Sequence, residues 1–246
     1  MEKRIRYQNY VEHYKKDAEF QNYFETTPFE EQNIRRRYEQ LFSLLPKDGI
    51  RILEIGSGGG FAVEQIKKAK CLYFPLDIPH SNLNEINKRT DVKIYPVSGD
   101  AFHLPLQDNS FEAIILSEVL EHLEFPMDAL KEMTRVLKPG GKLLISVPYK
   151  EKITYQICVH CNQPTPTHAH FHSFDEKKLT EWVKESGLSL QRFIKISNKL
   201  ATRLGFYIIL KKFPFTIWKS ADMLFNLIVP KPSHLILIAG KSVGIK

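Results

Sequence analysis

The chain has no apolar run near the roughly 18 to 20 residues that a membrane-crossing helix needs. Its first residues, Met1 to Tyr10, are charged and lack the apolar core of a secretory leader, so no signal peptide is expected. Cysteine is scarce: three residues, an odd number, with two of them in a C-x-x-C. That argues against a disulfide framework and for a reducing, cytoplasmic compartment. Internal repeats and low-complexity segments are missing too. Acid is nearly absent from the last fifth of the chain, where Lys195 to Lys246 hold nine Lys/Arg and one acid, Asp222. The residues before Lys195 hold 26 basic and 27 acidic side chains, so the overall charge of +7 is a local feature that needs a local explanation. With 43% hydrophobic and 26% charged residues, the composition is that of a globular chain with a sizeable core: one domain, or one domain with additions.

A glycine is missing at an informative place. The stretch from Arg51 to Gly60 begins as a short apolar strand and ends in glycines, and Phe61 to Ile66 follows as a helix start. A strand that breaks into glycines before a helix is how α/β proteins hold a nucleotide-like ligand, because the backbone turns tightly and helix N–H groups face the ligand. The dinucleotide fingerprint G-x-G-x-x-G needs a third glycine at position 61, which is Phe61. The pattern present is Glu54, Gly56, Gly58, Gly60. Asp77 follows Gly56 by 21 residues, at the end of the apolar run Cys71 to Leu76. That is the spacing of an acid that accepts from both hydroxyls of a ribose.

Alternating periodicities run along the chain. Residues 1–48 read as helices, with Ile34, Tyr38, Leu41, Phe42 and Leu45 at helical spacing and a stop at Pro46 to Gly49. This aromatic segment is either a cap packed on a sheet or a lid over the ligand. Strands are predicted at 71–76, 92–97, 111–116, 142–147, 188–195 and 234–239, and helices at 81–90, 127–137 and 175–185. Alternation of this kind indicates an α/β fold with a doubly wound, mostly parallel sheet.

The block "GDAFHLPLQDNSFEAIILSEVLEHLEFPMDALKEMTRVLKPGGKLLISVP", together with "ILEIGSGGG" and Asp77, resembles class I S-adenosylmethionine-dependent methyltransferases. It is closest to their small-molecule type 11 group, which includes quinone-biosynthesis enzymes, and the resemblance covers roughly residues 50–148. It implies a Rossmann-like seven-stranded sheet with helices on both faces. It also implies that Glu54, Gly56, Ser57, Gly58 and Gly60 hold the methionine end of S-adenosylmethionine. Asp77 would bind the ribose with Ile78 against the adenine; Asp100 would accept from the adenine amino group beside Ala101 and Phe102; Ser117 would sit near the reacting methyl. Glu118 and His122 become candidates for contact with a small-molecule acceptor. No general base is identified.

Two further segments carry chemistry of their own. In 158–172, Cys158 and Cys161 are followed by His168, His170 and His172. A C-x-x-C with histidines about ten residues on has the ligand types of a structural zinc site, with Cys158, Cys161, His170 and His172 as ligands and His168 as substitute. Acceptor-pocket histidines without metal, or a redox C-x-x-C, are the other readings. The basic segment 198–230 reads as helices broken near Pro214, with Ile217, Ala221, Leu224, Phe225 and Ile228 along one face. It either covers the acceptor site or binds an anionic membrane surface, and its bulky aliphatics argue against nucleic acid. The expected organisation is a helical cap over 1–48 and a methyltransferase domain over 49–246.

Overall fold

The computed structural model describes Tyr7 and residues 9–46, 48–159 and 161–243. The first six residues of the charged start, Lys47 of the expected helix stop and His160 of the C-x-x-C lie outside them. Helices α1 (Tyr10–Phe20) and α2 (Pro28–Phe42) come first. The second is set by a capping box: Thr27 Oγ1 accepts from Glu30 N at 3.3 Å and Glu30 Oε2 accepts from Thr27 N at 2.9 Å. Strand β1 (Asp48–Ile55) runs through the glycines into α3 (Val63–Ile66), a single turn within the expected helix start at Phe61 to Ile66. Then follow β2 (Lys70–Asp77), α4 (His80–Arg89), β3 (Val97–Ser98), β4 (Phe111–Ser117), a 3₁₀ turn at Leu120–His122, α5 (Pro126–Val136) and β5 (Leu137–Pro148). A hairpin of β6 (Tyr155–Ile157) and β7 (Pro164–Pro166) precedes α6 (Glu176–Glu185) and β8 (Ser189–Asn198). Helices α7 (Lys199–Arg203), α8 (Phe206–Leu210) and α9 (Phe215–Ile228) lead to β9 (Pro232–Gly240).

The seven-stranded sheet has the order β3-β2-β1-β4-β5-β9-β8, parallel except for β9, which is antiparallel to both neighbours. Its central strands are buried on both faces, which explains their unbroken apolar runs. Leu53, Ile55, Ile114, Leu116 and Leu143 face a core shared with Leu130 and Met133 of α5 and Leu179 and Val183 of α6. Ile52, Ala113, Ile115, Leu144 and Ile236 face the other core, shared with Tyr38 and Leu41 of α2. The expected third strand shrinks to Val97–Ser98 with an isolated bridge from Ile94 to Tyr73, because Pro96 has no N–H to give to a ladder. The expected break at Lys138 to Gly141 lies inside β5, as a register shift in its pairing with β4 around Gly140, whose φ is +78°. Among the described residues, no helix is long and apolar enough to cross a membrane.

The chain builds β2 and β3 to one side of β1 and β4 to the other. The strand order therefore reverses at the carboxyl end of β1, where open α/β sheets leave a crevice for ligands.

Candidate active site

The glycine turn closes onto the neighbouring strand. Gly56 N and Ser57 N both donate to Leu76 O, at 2.9 and 3.1 Å. Gly56 has φ +71°, and a Cβ there would stand 2.5 Å from Val119 Cγ2, so the position excludes a side chain on both counts. Gly58 N donates to Asp77 Oδ2 at 2.8 Å, and a Cβ on Gly58 would meet nothing within 4 Å, because the loop opens there onto a cleft. Asp77 Oδ1 accepts from Ile78 N at 2.8 Å. Burial pushes the Asp77 carboxyl up, against the hydrogen bonds from Gly58, Asn82 and Ile78. Beyond β3, Asp100 Oδ1 accepts from Phe102 N at 2.9 Å and Oδ2 accepts from the Tyr10 hydroxyl.

One cleft of about 730 Å³ joins these groups. Gly56, Gly58, Asp77, Ile78 and the stretch from Gly99 to Phe102 line one end. Glu118, Val119, His122 and the segment from Thr165 to His170 line the other. Tyr10, Tyr14 and Asp17 of α1 cover it from above, while α2 packs on the sheet. Of the two N-terminal helices, α1 thus lies over the cleft and α2 on the sheet. The residues present fit S-adenosylmethionine: two carboxylates stand where hydroxyl and amino donors need acceptors, beside a loop whose central glycine leaves open space.

Several expected contacts lie behind the cleft wall. Glu54 is fully buried and accepts from the hydroxyls of Tyr38 and Tyr73. Burial lifts its carboxyl to about 7, against the two tyrosine hydrogen bonds. Ser117 Oγ accepts from Arg37 Nε at 3.0 Å, Ser57 is buried, and Gly60 faces a separate cavity of about 510 Å³ beside Phe61. Glu54, Ser57, Gly60 and Ser117 thus shape the site without lining it.

Glu118 does line it, with φ at +56°, a strained value for a side-chain-bearing residue. Its Oε1 accepts from Ser146 Oγ at 2.8 Å, while Oε2 stands 3.4 Å from His234 Nε2 and 4.0 Å from Arg37 Nη1. Burial works against its charge, yet Arg37, His234 and Ser146 together hold the carboxyl below the usual range. Burial and His170 push the neighbouring His122 imidazole down to about 4. Sequence reasoning missed Tyr10, Asn82, Arg37, Ser146 and His234. Asn82 lies five residues past Asp77, while the others come from distant elements and leave no local signal.

The Cys/His segment does not assemble as the expected zinc site. Cys158 and Cys161 lie between β6 and β7, with Cys158 N donating to Gln163 O at 2.9 Å and Cys161 exposed. The histidines do not share one extended face, because Ala169 takes φ +54° and its N–H turns back to Pro166 O. His170 Nδ1 lies 2.5 Å from Glu151 Oε2, while His172 Nε2 donates to Leu123 O at 3.0 Å and its ring meets the Trp182 edge. Among the described residues, the converging side chains of metal-ligand type are Glu121, His122 and His170, without Cys158, Cys161 or His172.

The basic helices do not cover the cleft either, since none of the described residues of 198–230 lines it. They pack on the far side: Arg36 of α2 donates to Leu210 O and Phe213 O at 2.9 and 2.7 Å and lies over the Trp218 ring. Asp222 accepts from the backbone N–H groups of Ser197 and Asn198. In α9, Trp218 and Asp222 are buried, whereas Ile217, Leu224 and Ile228 of the expected apolar face are 48%, 56% and 69% exposed.

Comparison with known proteins agrees with this geometry. Residues 53–145 match a family model described as a methyltransferase domain, Methyltransf_11. A demethylmenaquinone methyltransferase of Renibacterium salmoninarum is 39% identical over 98 residues, which cover 40% of this chain and 41% of that protein. A ubiquinone biosynthesis O-methyltransferase of Xanthomonas axonopodis pv. citri is 25% identical over 168 residues, covering 63% of this chain and 69% of that protein. The match thus spans about two fifths of the length of the first of these relatives. In fold, an S-adenosylmethionine-dependent methyltransferase from Mesorhizobium loti superposes with a TM-score of 0.60 at 16% identity, over 85% of this chain and 100% of that one. The strand order, the glycine turn with its two acids and the matched block make this chain similar, over residues 53–145, to class I S-adenosylmethionine-dependent methyltransferases.

Proposed function

We propose that the protein transfers a methyl group from S-adenosylmethionine to a small-molecule acceptor held beside Glu118 and His122. The observation that carries this reading is the single cleft, which has the paired acids Asp77 and Asp100 at one end and the Glu118–His122 wall at the other. When bound, S-adenosylmethionine supplies a sulfonium methyl that is already electrophilic. The chain's part is to align the acceptor with that methyl and to exclude water. Tyr10 and Tyr14 would serve exclusion, as they roof the cleft. Glu118 would orient the acceptor, because Ser146, His234 and Arg37 fix its carboxylate.

The names of two relatives, a demethylmenaquinone methyltransferase and a ubiquinone biosynthesis O-methyltransferase, support a quinone precursor as the acceptor class. A lipid-linked acceptor fits the far side of the molecule, where α8 and α9 carry exposed Ile208, Ile209, Leu224 and Ile228 with Lys211, Lys212 and Lys219 among them. Helices of that composition suit the surface of an anionic membrane.

Calorimetry with S-adenosylmethionine on the wild type and Asp77→Ala tests the cofactor half, and transfer of a labelled methyl to demethylated quinone precursors tests the rest. We expect binding that Asp77→Ala weakens at least tenfold, about 1.4 kcal/mol, and label in the precursor. Unchanged affinity in Asp77→Ala would contradict the ribose assignment, and binding without transfer would leave a protein that only holds the cofactor.

A further inference from the structure

Glu121 is 1% exposed, and neither oxygen of its carboxylate has a hydrogen-bond partner. Buried polar atoms are normally satisfied, and a buried carboxyl without donors is costly unless a proton or a cation occupies it. Next to it, His122 Nδ1 is also buried and without a partner. The third member is His170, whose ring centroid lies 4.5 Å from that of His122 at an interplanar angle of 81°. One ligating atom from each of Glu121, His122 and His170 lies within 4.8 Å of the others.

The backbone holds these three in register. Glu121 and His122 sit on the 3₁₀ turn after β4, and Glu121 O accepts from Phe171 N at 2.8 Å, which pins the His170 segment alongside. Glu151 takes the Nδ1 side of His170 at 2.5 Å and leaves Nε2 for another partner. A carboxylate on the far nitrogen is the usual way a protein orients a metal-ligating imidazole and raises its basicity.

We propose that Glu121, His122 and His170 bind a divalent transition-metal ion at the acceptor end of the cleft. Two imidazoles and one carboxylate suit Zn²⁺, Mn²⁺ or Fe²⁺ and leave coordination positions open. His122 and His170 both line the cleft, so the open positions face its interior. Resting on the methyltransferase reading, the ion selects an oxygen acceptor: a phenol or enol hydroxyl on the metal loses its proton to water more readily. The acceptor oxygen then forms its bond to the methyl carbon as the carbon–sulfur bond breaks, and sulfur keeps that electron pair as a neutral thioether.

The test uses chelator-treated full-length protein titrated with Zn²⁺ by calorimetry and with Co²⁺ by absorption, and measures S-adenosylmethionine affinity separately. We expect one equivalent to bind, at least tenfold more weakly in Glu121→Gln and His170→Ala, with no thiolate-to-cobalt charge-transfer band. The Cys158→Ser/Cys161→Ser double variant should bind as the wild type does. Should either ligand variant fail to fold, Glu151→Gln, which alters the hydrogen bond to His170, serves instead, with a loss of about tenfold or more. Absence of saturable binding overturns the proposal. So does a thiolate band that the double cysteine variant abolishes, or affinity unchanged by Glu121→Gln, His170→Ala and Glu151→Gln. Metal binding without S-adenosylmethionine binding would overturn the methyltransferase reading and leave the metal site standing.

Discussion

At the scale of single residues, the molecule invests buried charge where it builds the cofactor loop. Glu54 lies under the glycine turn between two tyrosine hydroxyls, in full burial, and its carboxyl is lifted to about 7 from an ordinary 4.5. The folded chain therefore keeps this proton after the unfolded chain has lost it. Between about pH 4.5 and 7 the unfolded state binds fewer protons, so stability falls as pH rises and levels off above about 7. A Glu54→Gln variant has no such proton to lose. In urea titrations at several pH values we expect the variant's stability relative to wild type to rise between pH 5 and 8. The change is on the order of 3 kcal/mol; a difference constant with pH would contradict the burial argument. The sequence marks Glu54 as an acid at a motif position. That it props the loop from behind depends on Tyr38 and Tyr73, which come from another helix and another strand.

At the scale of elements, the two N-terminal helices differ in what holds them. Helix α2 buries Tyr38 and Leu41 in the core and ties down α8 and α9 through Arg36. Helix α1 buries no residue, and hydrogen bonds hold it: Tyr10 to Asp100, Tyr14 to His122 O and Tyr23 to Asp17. An element with so few buried apolar contacts opens at low free energy, as mobile lids do. Hydrogen exchange should therefore run faster over 10–20 than over 28–42, and S-adenosylmethionine should slow it in α1. Equal protection of the two helices without ligand would remove the lid assignment. The aromatic content of 1–48 shows in the sequence that the segment packs on something. Which helix takes the sheet and which takes the cleft depends on partners far along the chain.

At the scale of the whole molecule, the cleft and the basic helices lie on different surfaces. None of the described residues of 198–230 reaches the cleft, and the apolar side of α9 points outward with Leu227 79% exposed. Exposed apolar groups among lysines bind anionic bilayers by burial and by charge, and the charge part weakens with salt. We expect the protein to sediment with anionic liposomes at low salt and less at high salt. Leu224→Asp/Ile228→Asp should lose that binding and retain S-adenosylmethionine affinity. A wild type that stays in the supernatant at low salt would exclude the membrane surface.

The strand–glycine–strand core was legible in the chain because its signals are local. Apolar runs of strand length, glycines where φ is positive, and Asp77 one crossover after Gly56 all lie within the reach of a single supersecondary unit. The same holds for Asp100 and for the order of the elements. The tertiary structure alone decided which side chains meet across the acceptor end. The spacing of the Cys/His segment suggests a self-contained knuckle, but Ala169 turns the backbone, so His170 meets Glu121 and His122 instead of the cysteines. In α9 a helical repeat of apolar residues shows an amphipathic helix, and the buried Trp218 and Asp222 decide which side faces the protein. Periodicity reports that one face differs from another; only the neighbouring elements determine what each face meets.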